Sequence, residues 1–325
     1  MLSSLAYIRP GSLDEVLQHL RADGARVHAG GTDLLGCLRD GVFGATKVVS
    51  LSGLPDLAGI RRTPDGGLRI GALTRVAEVA ADPMIREHYA GLAQAASEVA
   101  SPQLRNQGTI GGNICQRPRC WYFRGDFHCL RKGGTTCYAL VGENQYHCVL
   151  GGARCYIVHP SDTAPAFTAL GASVRIAGPD GARTVPIDDF YLLPETDVHR
   201  EAALEPGEVV TEIVLPPPPT GTRSSYRKVR ARRSWDFALA GVALALQFEG
   251  NRVRGGKIVL SGAAPAPWRA REAEAAIVGR QLDGATCREA AAAAMRDARP
   301  LKRNAYKIPL FTGLLEEELT KLGAV

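Results

Sequence analysis

Four consecutive prolines, Pro216–Pro219, most restrict how this chain of 325 residues can fold. Proline has no amide hydrogen and a fixed φ angle, so the run can join neither a helix nor the interior of a sheet. The chain is long enough for two or three domains, each with its own core. The prolines therefore predict a boundary between a larger N-terminal part and a smaller C-terminal part.

The N-terminal part begins with an α/β pattern. Ser12 and Glu15 have the spacing of a capping box, and the helix that follows is predicted to end near Gly24. Strands are predicted at 26–29 and 47–51 with a short helix between them, which is typical of a small parallel sheet.

From residue 54 to 215 the pattern changes to mixed helix and strand. The helices are predicted at 75–80 and 92–100, a hairpin turns through Gly-Pro-Asp-Gly at 178–181, and a further strand covers 208–215. This segment favours an antiparallel or mixed sheet.

The C-terminal part is predicted as three strands followed by a helical bundle. The strands lie near 225–229, 242–248 and 257–261, and the helices cover 270–278, 286–298 and 304–321. Thr286 and Glu289 suggest a second capping box. The pattern indicates a compact α+β domain.

Composition and charge exclude several function classes. The net charge is +6, but basic and acidic residues are interleaved and no Lys/Arg stripe with aromatics appears, so a solvated surface is favoured over a nucleic-acid site. Residues 1–10 show no basic region followed by an apolar stretch, so no signal peptide is predicted. No run of 18 apolar residues is present, so no membrane span is predicted.

The cysteines are concentrated in one segment. Disulfide frameworks belong to small secreted domains that lack a core, so this concentration indicates metal or redox chemistry. Four thiolates can hold either a zinc ion or a [4Fe–4S] cluster, and the spacing here, without C-x2-C pairs, does not decide between them. Six of the eight cysteines fall in this segment: Cys115, Cys120, Cys129, Cys137, Cys148 and Cys155.

Two glycine pairs carry a second kind of signal. Gly30-Gly31-Thr32 follows a predicted strand, and Thr109-Ile110-Gly111-Gly112-Asn113 lies further along the chain. Residues without a β-carbon let the backbone approach a diphosphate, whose oxygens can accept from exposed N–H groups. Neither GxGxxG nor a P-loop is present, and tight structural turns explain each pair alone equally well.

Taken together, these motifs resemble the flavoproteins of the molybdenum-hydroxylase family. The resemblance rests on residues 26–34 and 107–113, which look like the two FAD diphosphate loops, and extends through His-Pro-Ser-Asp at 159–162 and Tyr-Arg-Lys-Val-Arg at 226–230. The family includes the medium subunits of carbon monoxide dehydrogenase, xanthine dehydrogenase, aldehyde oxidoreductase and 4-hydroxybenzoyl-CoA reductase. The similarity covers nearly the whole chain.

The resemblance implies a fold class and domain limits. The fold is an α+β PCMH-type FAD-binding fold, with a small parallel-sheet subdomain at 1–53 and a mixed or antiparallel subdomain at 54–217. A C-terminal domain with a three-stranded sheet and a helical bundle follows at 220–325.

It also implies a set of FAD-binding residues. Asp162 has a simpler alternative as the cap of a helix starting at Thr163, and Lys228 as a solvated strand residue. A cation near the flavin would stabilise its anionic reduced form, which is the hypothesis for Lys228. Tyr191 and Trp235 are either flavin neighbours or core residues. The implied FAD-binding residues are Arg26, Val27, His28, Ala29, Gly30, Gly31, Thr32, Asp33, Leu34, Thr109, Gly111, Gly112, Asn113, Asp162 and Lys228.

The cysteine segment, at about 114–155, interrupts this resemblance. It is similar to the insert of 4-hydroxybenzoyl-CoA reductases and periplasmic-type aldehyde oxidoreductases, which carries a [4Fe–4S] cluster, and the aldehyde-oxidising type matches best at 103–107 and 116–120. The implied ligands are Cys120, Cys129, Cys137 and Cys155. Cys148 competes for the last position, whereas Cys115 is expected to be a buried small side chain.

The insert is also basic. Its cations would lower the desolvation cost of an anionic cluster, although ordinary surface arginines explain them too. They are Arg117, Arg119, Arg124, Arg131, Lys132 and Arg154, against Asp126 and Glu143.

The chain shows no [2Fe–2S] module and no domain long enough for a molybdenum cofactor. The resemblance therefore implies a large molybdenum subunit and a small [2Fe–2S] subunit as partners, with electrons passing through FAD and the cluster to an acceptor such as ferredoxin or quinone. Aldehyde oxidation is expected. The compartment is expected to be the cytoplasm, or the periplasm by co-export with a signal-bearing partner.

Two other functions stay open. One is a 4-hydroxybenzoyl-CoA reductase subunit with reversed electron flow, and the other is a zinc-stabilised binding protein without enzymatic activity. No residue is identified for acid–base catalysis.

Overall fold

A computed structural model describes residues 4–324, so Met1–Ser3 and Val325 lie outside the described residues. Met1–Ser3 belong to the segment 1–10, for which no signal peptide is predicted. The first unit consists of β1 (Ala6–Ile8), α1 (Leu13–Leu20), β2 (Ala25–His28), α2 (Leu34–Arg39) and β3 (Lys47–Ser50). Its strands form the predicted parallel sheet, in the order β1-β3-β2. Ser12 caps α1 by accepting from the Glu15 N–H.

The second unit consists of β4 (Ile60–Arg62), β5 (Leu68–Gly71), α3 (Val76–Ala81), α4 (Pro83–His88), α5 (Ala90–Ser97), α6 (Pro102–Gln107), α7 (Ile110–Ile114), α8 (Trp121–Arg124), α9 (Thr163–Ala169), β6 (Ser173–Gly178), β7 (Gly181–Pro186), α10 (Ile187–Phe190) and β8 (Val209–Leu215). Its strands form an antiparallel sheet in the order β4-β5-β8-β6-β7. The predicted hairpin is confirmed, because β6 and β7 pair through a turn in which Gly181 has a φ of +110°.

The third unit consists of β9 (Thr222–Val229), β10 (Ala240–Glu249), β11 (Arg252–Ser261), β12 (Trp268–Arg269), α11 (Arg271–Ile277), α12 (Gly284–Ala294) and α13 (Lys307–Gly323). It has the predicted three long strands, and the two-residue β12 extends the sheet to the order β12-β11-β10-β9. The capping box predicted at Thr286 is wrong. Asp283 caps α12 instead, since its carboxylate accepts from the Thr286 N–H at 2.8 Å and the helix starts earlier.

The sheet of the third unit is shared between two cores. Side chains alternate across a strand, so Ala243 and Ala245 of β10 join the core of the second unit, while Val242 and Leu244 face the C-terminal helices. Helices α5 and α9 pack on the first face, and α11 and α13 on the second. The proline run therefore separates segments of the chain that remain packed together.

Within residues 4–324, no helix is long and apolar enough to cross a membrane.

Candidate functional site

The two glycine loops lie side by side. Gly30 follows β2, and the Gln107 side-chain amide donates to the Gly30 carbonyl at 3.2 Å. A β-carbon on Gly30 would collide with the Gln107 carbonyl, so only glycine permits this approach. Thr109 caps α7 by accepting from the Gly112 N–H at 3.3 Å. The fold thus brings together two loops that lie far apart in the chain.

Two cavities meet at these loops. Cavity I extends from the loops to apolar residues that include Leu51 and Val209. Cavity II extends in the other direction, toward Pro160 and Asp162 and toward the segment after β9. The wall common to both cavities consists of Thr32, Asp33, Thr109 and Gly112.

Most of the residues predicted for FAD line these cavities. Arg26 and His28 do not, because alternate residues of β2 face opposite sides and Val27 takes the cavity side. The Arg26 guanidinium lies over the Phe43 ring, and the His28 ring lies below Gly31. The predicted residues that line a cavity are Val27, Ala29, Gly30, Gly31, Thr32, Asp33, Leu34, Thr109, Gly111, Gly112, Asn113 and Asp162.

Asp162 forms a buried ion pair with Lys228. The Lys228 ammonium donates to one carboxylate oxygen at 2.8 Å, and the Tyr226 hydroxyl donates to the other at 2.8 Å. Burial raises the pKa of Asp162, and the Lys228 charge opposes that shift. Lys228 lines neither cavity, and its side chain is fully buried.

Both simpler alternatives for this pair are wrong. Ser161, not Asp162, accepts the N–H of Ala164 at the start of α9. Lys228 is not a solvated strand residue, because its side chain is fully buried. A buried ammonium needs a charged or hydrogen-bonded partner, which Asp162 provides.

Asn113 is held by two hydroxyl groups. Its side-chain oxygen accepts from Ser161 at 2.6 Å and from Thr163 at 2.7 Å. With the oxygen so engaged, the amide NH2 is the group that Asn113 can offer as a donor in cavity II.

Asp33 ties the first glycine loop to the cysteine insert. Its carboxylate accepts from the Arg117 N–H at 2.7 Å and from the Arg124 guanidinium at 2.7 Å, and it pairs with Arg119. Burial alone would raise the pKa of Asp33, but Arg119 and Arg124 outweigh it and hold the pKa below 3.8. Sequence reasoning missed this role, because no local spacing connects the loop to the insert.

A second carboxylate, Glu201, forms ion pairs with the guanidinium groups of Arg117 and Arg131. It is buried, lies 2.7 Å from the Arg117 guanidinium and pairs with Arg131, whose side chain is 1% exposed. The view that the insert's cations are surface groups is wrong for Arg131 and right for Arg154, which is exposed. Four arginines thus face two carboxylates, an excess of two positive charges beside the loops.

Four cysteines line one small pocket, named here the cysteine pocket: Cys120, Cys129, Cys137 and Cys155. Arg131 and His147 also line it, and the His147 Nε2 lies 3.2 Å from the Cys120 sulfur. A hydrogen bond from Cys137 and the Arg131 charge lower the pKa of Cys155 to about 5, although burial opposes this.

The other two insert cysteines lie outside this pocket. Cys148 is buried with its sulfur against Gly152, and Cys115 lines cavity I. All eight cysteines are free thiols. In the described part of the chain, no three His, Cys, Asp or Glu side chains are grouped as a site for one metal ion.

A third cavity connects the cysteine pocket with cavity II. Cavity III shares Cys120 and His147 with the cysteine pocket and Arg119 and Phe237 with cavity II. The two candidate cofactor sites are therefore neighbours.

The two predicted flavin neighbours differ in environment. Tyr191 is half-buried against His159, with ring centroids 4.7 Å apart. Trp235 is 63% exposed and lines cavity II, so it is not a core residue. Phe237, which the sequence analysis missed, lines the same cavity.

Comparisons with known proteins identify the family. Residues 3–218 match a family model described as the FAD binding domain in molybdopterin dehydrogenase, and residues 224–320 match the CO dehydrogenase flavoprotein C-terminal domain. The chain is 41% identical to the aldehyde oxidoreductase FAD-binding subunit PaoB of Escherichia coli, over 81% of this chain and 82% of that protein. It is 29% identical to the glyceraldehyde dehydrogenase medium chain of Sulfolobus acidocaldarius, over 86% and 82%.

Solved structures give the same result. The chain superposes on a chain of carbon monoxide dehydrogenase from Hydrogenophaga pseudoflava with a TM-score of 0.79 and 27% identity, covering 100% of this chain and 99% of that one. The predicted α+β fold class and the resemblance to the molybdenum-hydroxylase flavoproteins are confirmed. The chain belongs to the FAD-binding medium subunits of the molybdenum hydroxylase family of oxidoreductases.

Proposed function

We propose that this subunit holds FAD across cavities I and II and passes electrons between its partner subunits and an external acceptor. The observation that carries the proposal is the common wall of the two cavities, built from both glycine loops. A dinucleotide has a diphosphate between two larger groups, and this wall lies between two cavities. The FAD diphosphate is assigned to Thr32, Thr109 and Gly112.

The chain supplies binding and electrostatics at this wall. The Thr32 hydroxyl and the loop N–H groups are donors for diphosphate oxygens, each worth about 1.5–3 kcal/mol when the acceptor is charged. Arg119, which lines cavity II, adds a positive charge. Asp33 would repel a diphosphate, but Arg119 and Arg124 neutralise it.

The flavin end is assigned to cavity II. Asp162 and the Asn113 amide are polar groups for the ring edge, and Trp235 and Phe237 are aromatic walls. Lys228 acts by holding Asp162 rather than by touching the cofactor, and Arg26 and His28 support the first loop from behind. FAD, when bound, supplies exchange between two-electron and one-electron steps.

The cysteine pocket is assigned to a [4Fe–4S] cluster with Cys120, Cys129, Cys137 and Cys155 as ligands. Four thiols converge on one pocket. Four thiolates can also hold one zinc ion, and the resemblance of the insert to the cluster-carrying inserts of the family favours the cluster. The buried Arg131 and the adjoining cavity III suit an anionic electron carrier beside the flavin site.

This assignment is tested by cysteine substitution in the full chain. Each of C120S, C129S, C137S and C155S is expected to lose most of the iron and acid-labile sulfide and the broad visible absorbance, while the flavin band remains. C148S and C287S, which remove buried thiols outside the pocket, serve as matched controls and are expected to keep the cluster. A colourless wild-type protein that contains zinc would contradict both cofactor assignments.

The complex is proposed to contain a large molybdenum subunit and a small [2Fe–2S] subunit, and to oxidise aldehydes. Support comes from the 41% identity to an aldehyde oxidoreductase subunit. Co-expression with the neighbouring genes should yield a three-subunit complex that reduces a dye when given an aldehyde. Activity only with a low-potential donor and an aromatic thioester would instead support the 4-hydroxybenzoyl-CoA reductase alternative. Cell fractionation decides between cytoplasm and co-export to the periplasm.

The domain limits at 53, 217 and 220 stay predictions, and limited proteolysis at the proline run is their test.

A further inference from the structure

We propose that buried Arg131 raises the reduction potential of the cluster and that Glu201 offsets part of this effect. The inference rests on the proposed cluster site. Arg131 and Glu201 act on the reduction potential in opposite directions, Arg131 through a buried positive charge and Glu201 through a buried negative charge.

Arg131 is held where its charge cannot be screened by water. It lies two residues after Cys129, its side chain is 1% exposed, it lines the cysteine pocket, and its guanidinium donates a hydrogen bond to Glu201. Its own carbonyl oxygen is 3.3 Å from the Nδ1 of His199, which fixes the turn that carries it. These contacts fix the guanidinium in the wall of the cysteine pocket.

Glu201 is equally enclosed. It is buried and contacts Arg131 with one oxygen and Arg117 with the other, at 2.7 Å in the second case. Because one carboxylate pairs with two guanidinium groups, the cluster of Arg117, Arg131 and Glu201 has a net charge of +1.

The direction of the effect follows from charge. A four-thiolate cluster is anionic, and one-electron reduction adds a negative charge. A cation in a low-dielectric site stabilises the reduced form more than the oxidised form. A buried carboxylate has the opposite effect. An exposed charge is screened by water and salt and has little effect.

The test compares three charge changes in the intact complex by an EPR-monitored redox titration of the [4Fe–4S] signal. R131M removes the buried cation and is expected to shift the midpoint to a more negative potential. E201Q removes the buried anion and is expected to shift it to a more positive potential. R154M removes an exposed cation next to Cys155 in sequence and is the matched control, with a midpoint close to that of the wild type.

The possible outcomes separate this inference from the proposed site. Equal shifts for R131M and R154M, or shifts of the same sign for R131M and E201Q, would overturn the role of Arg131. If R131M assembles no cluster, R131K keeps the positive charge, and E201Q still shows in which direction a buried charge shifts the midpoint potential. An unchanged midpoint in E201Q overturns the inference. A wild-type protein without iron would instead contradict the cluster site itself.

Discussion

At the scale of single residues, Asp162 illustrates how burial changes the role of a side chain. An aspartate just before a helix usually caps it, but here Ser161 does so and the Asp162 carboxylate turns to Lys228 and Tyr226. A buried carboxylate requires such partners, because desolvation disfavours its charge. The pair joins the second unit to β9 beside cavity II.

Breaking this pair is expected to destabilise the protein strongly. K228M leaves a buried carboxylate without its cation, and we expect a loss of about 3–5 kcal/mol in the free energy of unfolding. Urea denaturation measures it. The double variant D162N/K228M, which leaves no charge behind, should recover part of the loss. If K228M alone is as stable as the wild type, the pair is not energetically coupled.

The first glycine loop gives a second prediction at this scale. G30A places a β-carbon against the Gln107 carbonyl and forces the two loops apart. We expect FAD to bind at least about tenfold more weakly, which corresponds to about 1.4 kcal/mol. The ratio of flavin absorbance to protein absorbance in the purified chain measures this loss of FAD. G44A, whose added β-carbon meets no atom within 4 Å, is the control, and an equal loss in both variants would contradict the prediction.

At the scale of elements, the insert is attached to the FAD-binding loop through charge. Asp33 contacts Arg117, Arg119 and Arg124 at the start of the insert, and Glu201 contacts Arg117 and Arg131. Short elements such as α8 cannot be stable alone, since helices of this length form only when tertiary contacts support them. These ion pairs, together with the buried contacts of Phe123 and Cys129, are the tertiary contacts that support the insert.

The Asp33 contacts predict a pH-dependent contribution to stability. The pKa of Asp33 is lower in the folded chain than its ordinary value of 3.8. Its stabilising effect is therefore present above that value and is lost as the pH falls through the folded pKa. D33N should be less stable than the wild type by about 1.5–3 kcal/mol near neutral pH, as expected for hydrogen bonds to charged groups.

Denaturation curves of the two proteins at a series of pH values check this. The difference between the wild type and D33N should stay constant from neutral pH to about pH 5 and shrink below 3.8. A difference that grows on acidification would mean that Asp33 is not charged in the folded protein.

At the scale of the whole molecule, the sheet of β9–β12 belongs to both parts of the chain. Tyr226 and Val259 are buried in the same core as Leu68 and Phe167. Tyr89 also donates a hydrogen bond to the Pro216 carbonyl at 2.8 Å. Without the C-terminal strands, the FAD-binding part therefore lacks a complete core, and Asp162 lacks its two partners.

A truncated chain tests this dependence. The fragment 1–218 exposes the apolar faces of α5 and α9 and leaves Asp162 without Tyr226 and Lys228. We expect it to be aggregation-prone and to retain little FAD, measured by size-exclusion chromatography with detection at the flavin absorbance. A monomeric fragment that binds FAD as tightly as the full chain would show that the parts are independent.

Much of the fold follows from local patterns in the sequence. The parallel sheet at the start, the hairpin at 178–181 and the three long C-terminal strands were all predicted from periodicity and turn residues. Short helices such as α4 and α6 were not predicted, because they carry too little periodic signal. The family and its cofactor FAD followed from the two glycine loops and the neighbouring motifs.

By itself, the sequence determined the strands, the two glycine loops and the segment that carries the cysteines, since these depend on residues a few positions apart. Only the tertiary structure decided that Lys228 lies against Asp162, 66 residues away, and that Arg124 lies against Asp33, 91 residues away. It also decided that Arg131 is buried while Arg154 is exposed. The physical reason is that the interaction energy of a charged group depends on its burial and its partners, and tertiary packing determines both.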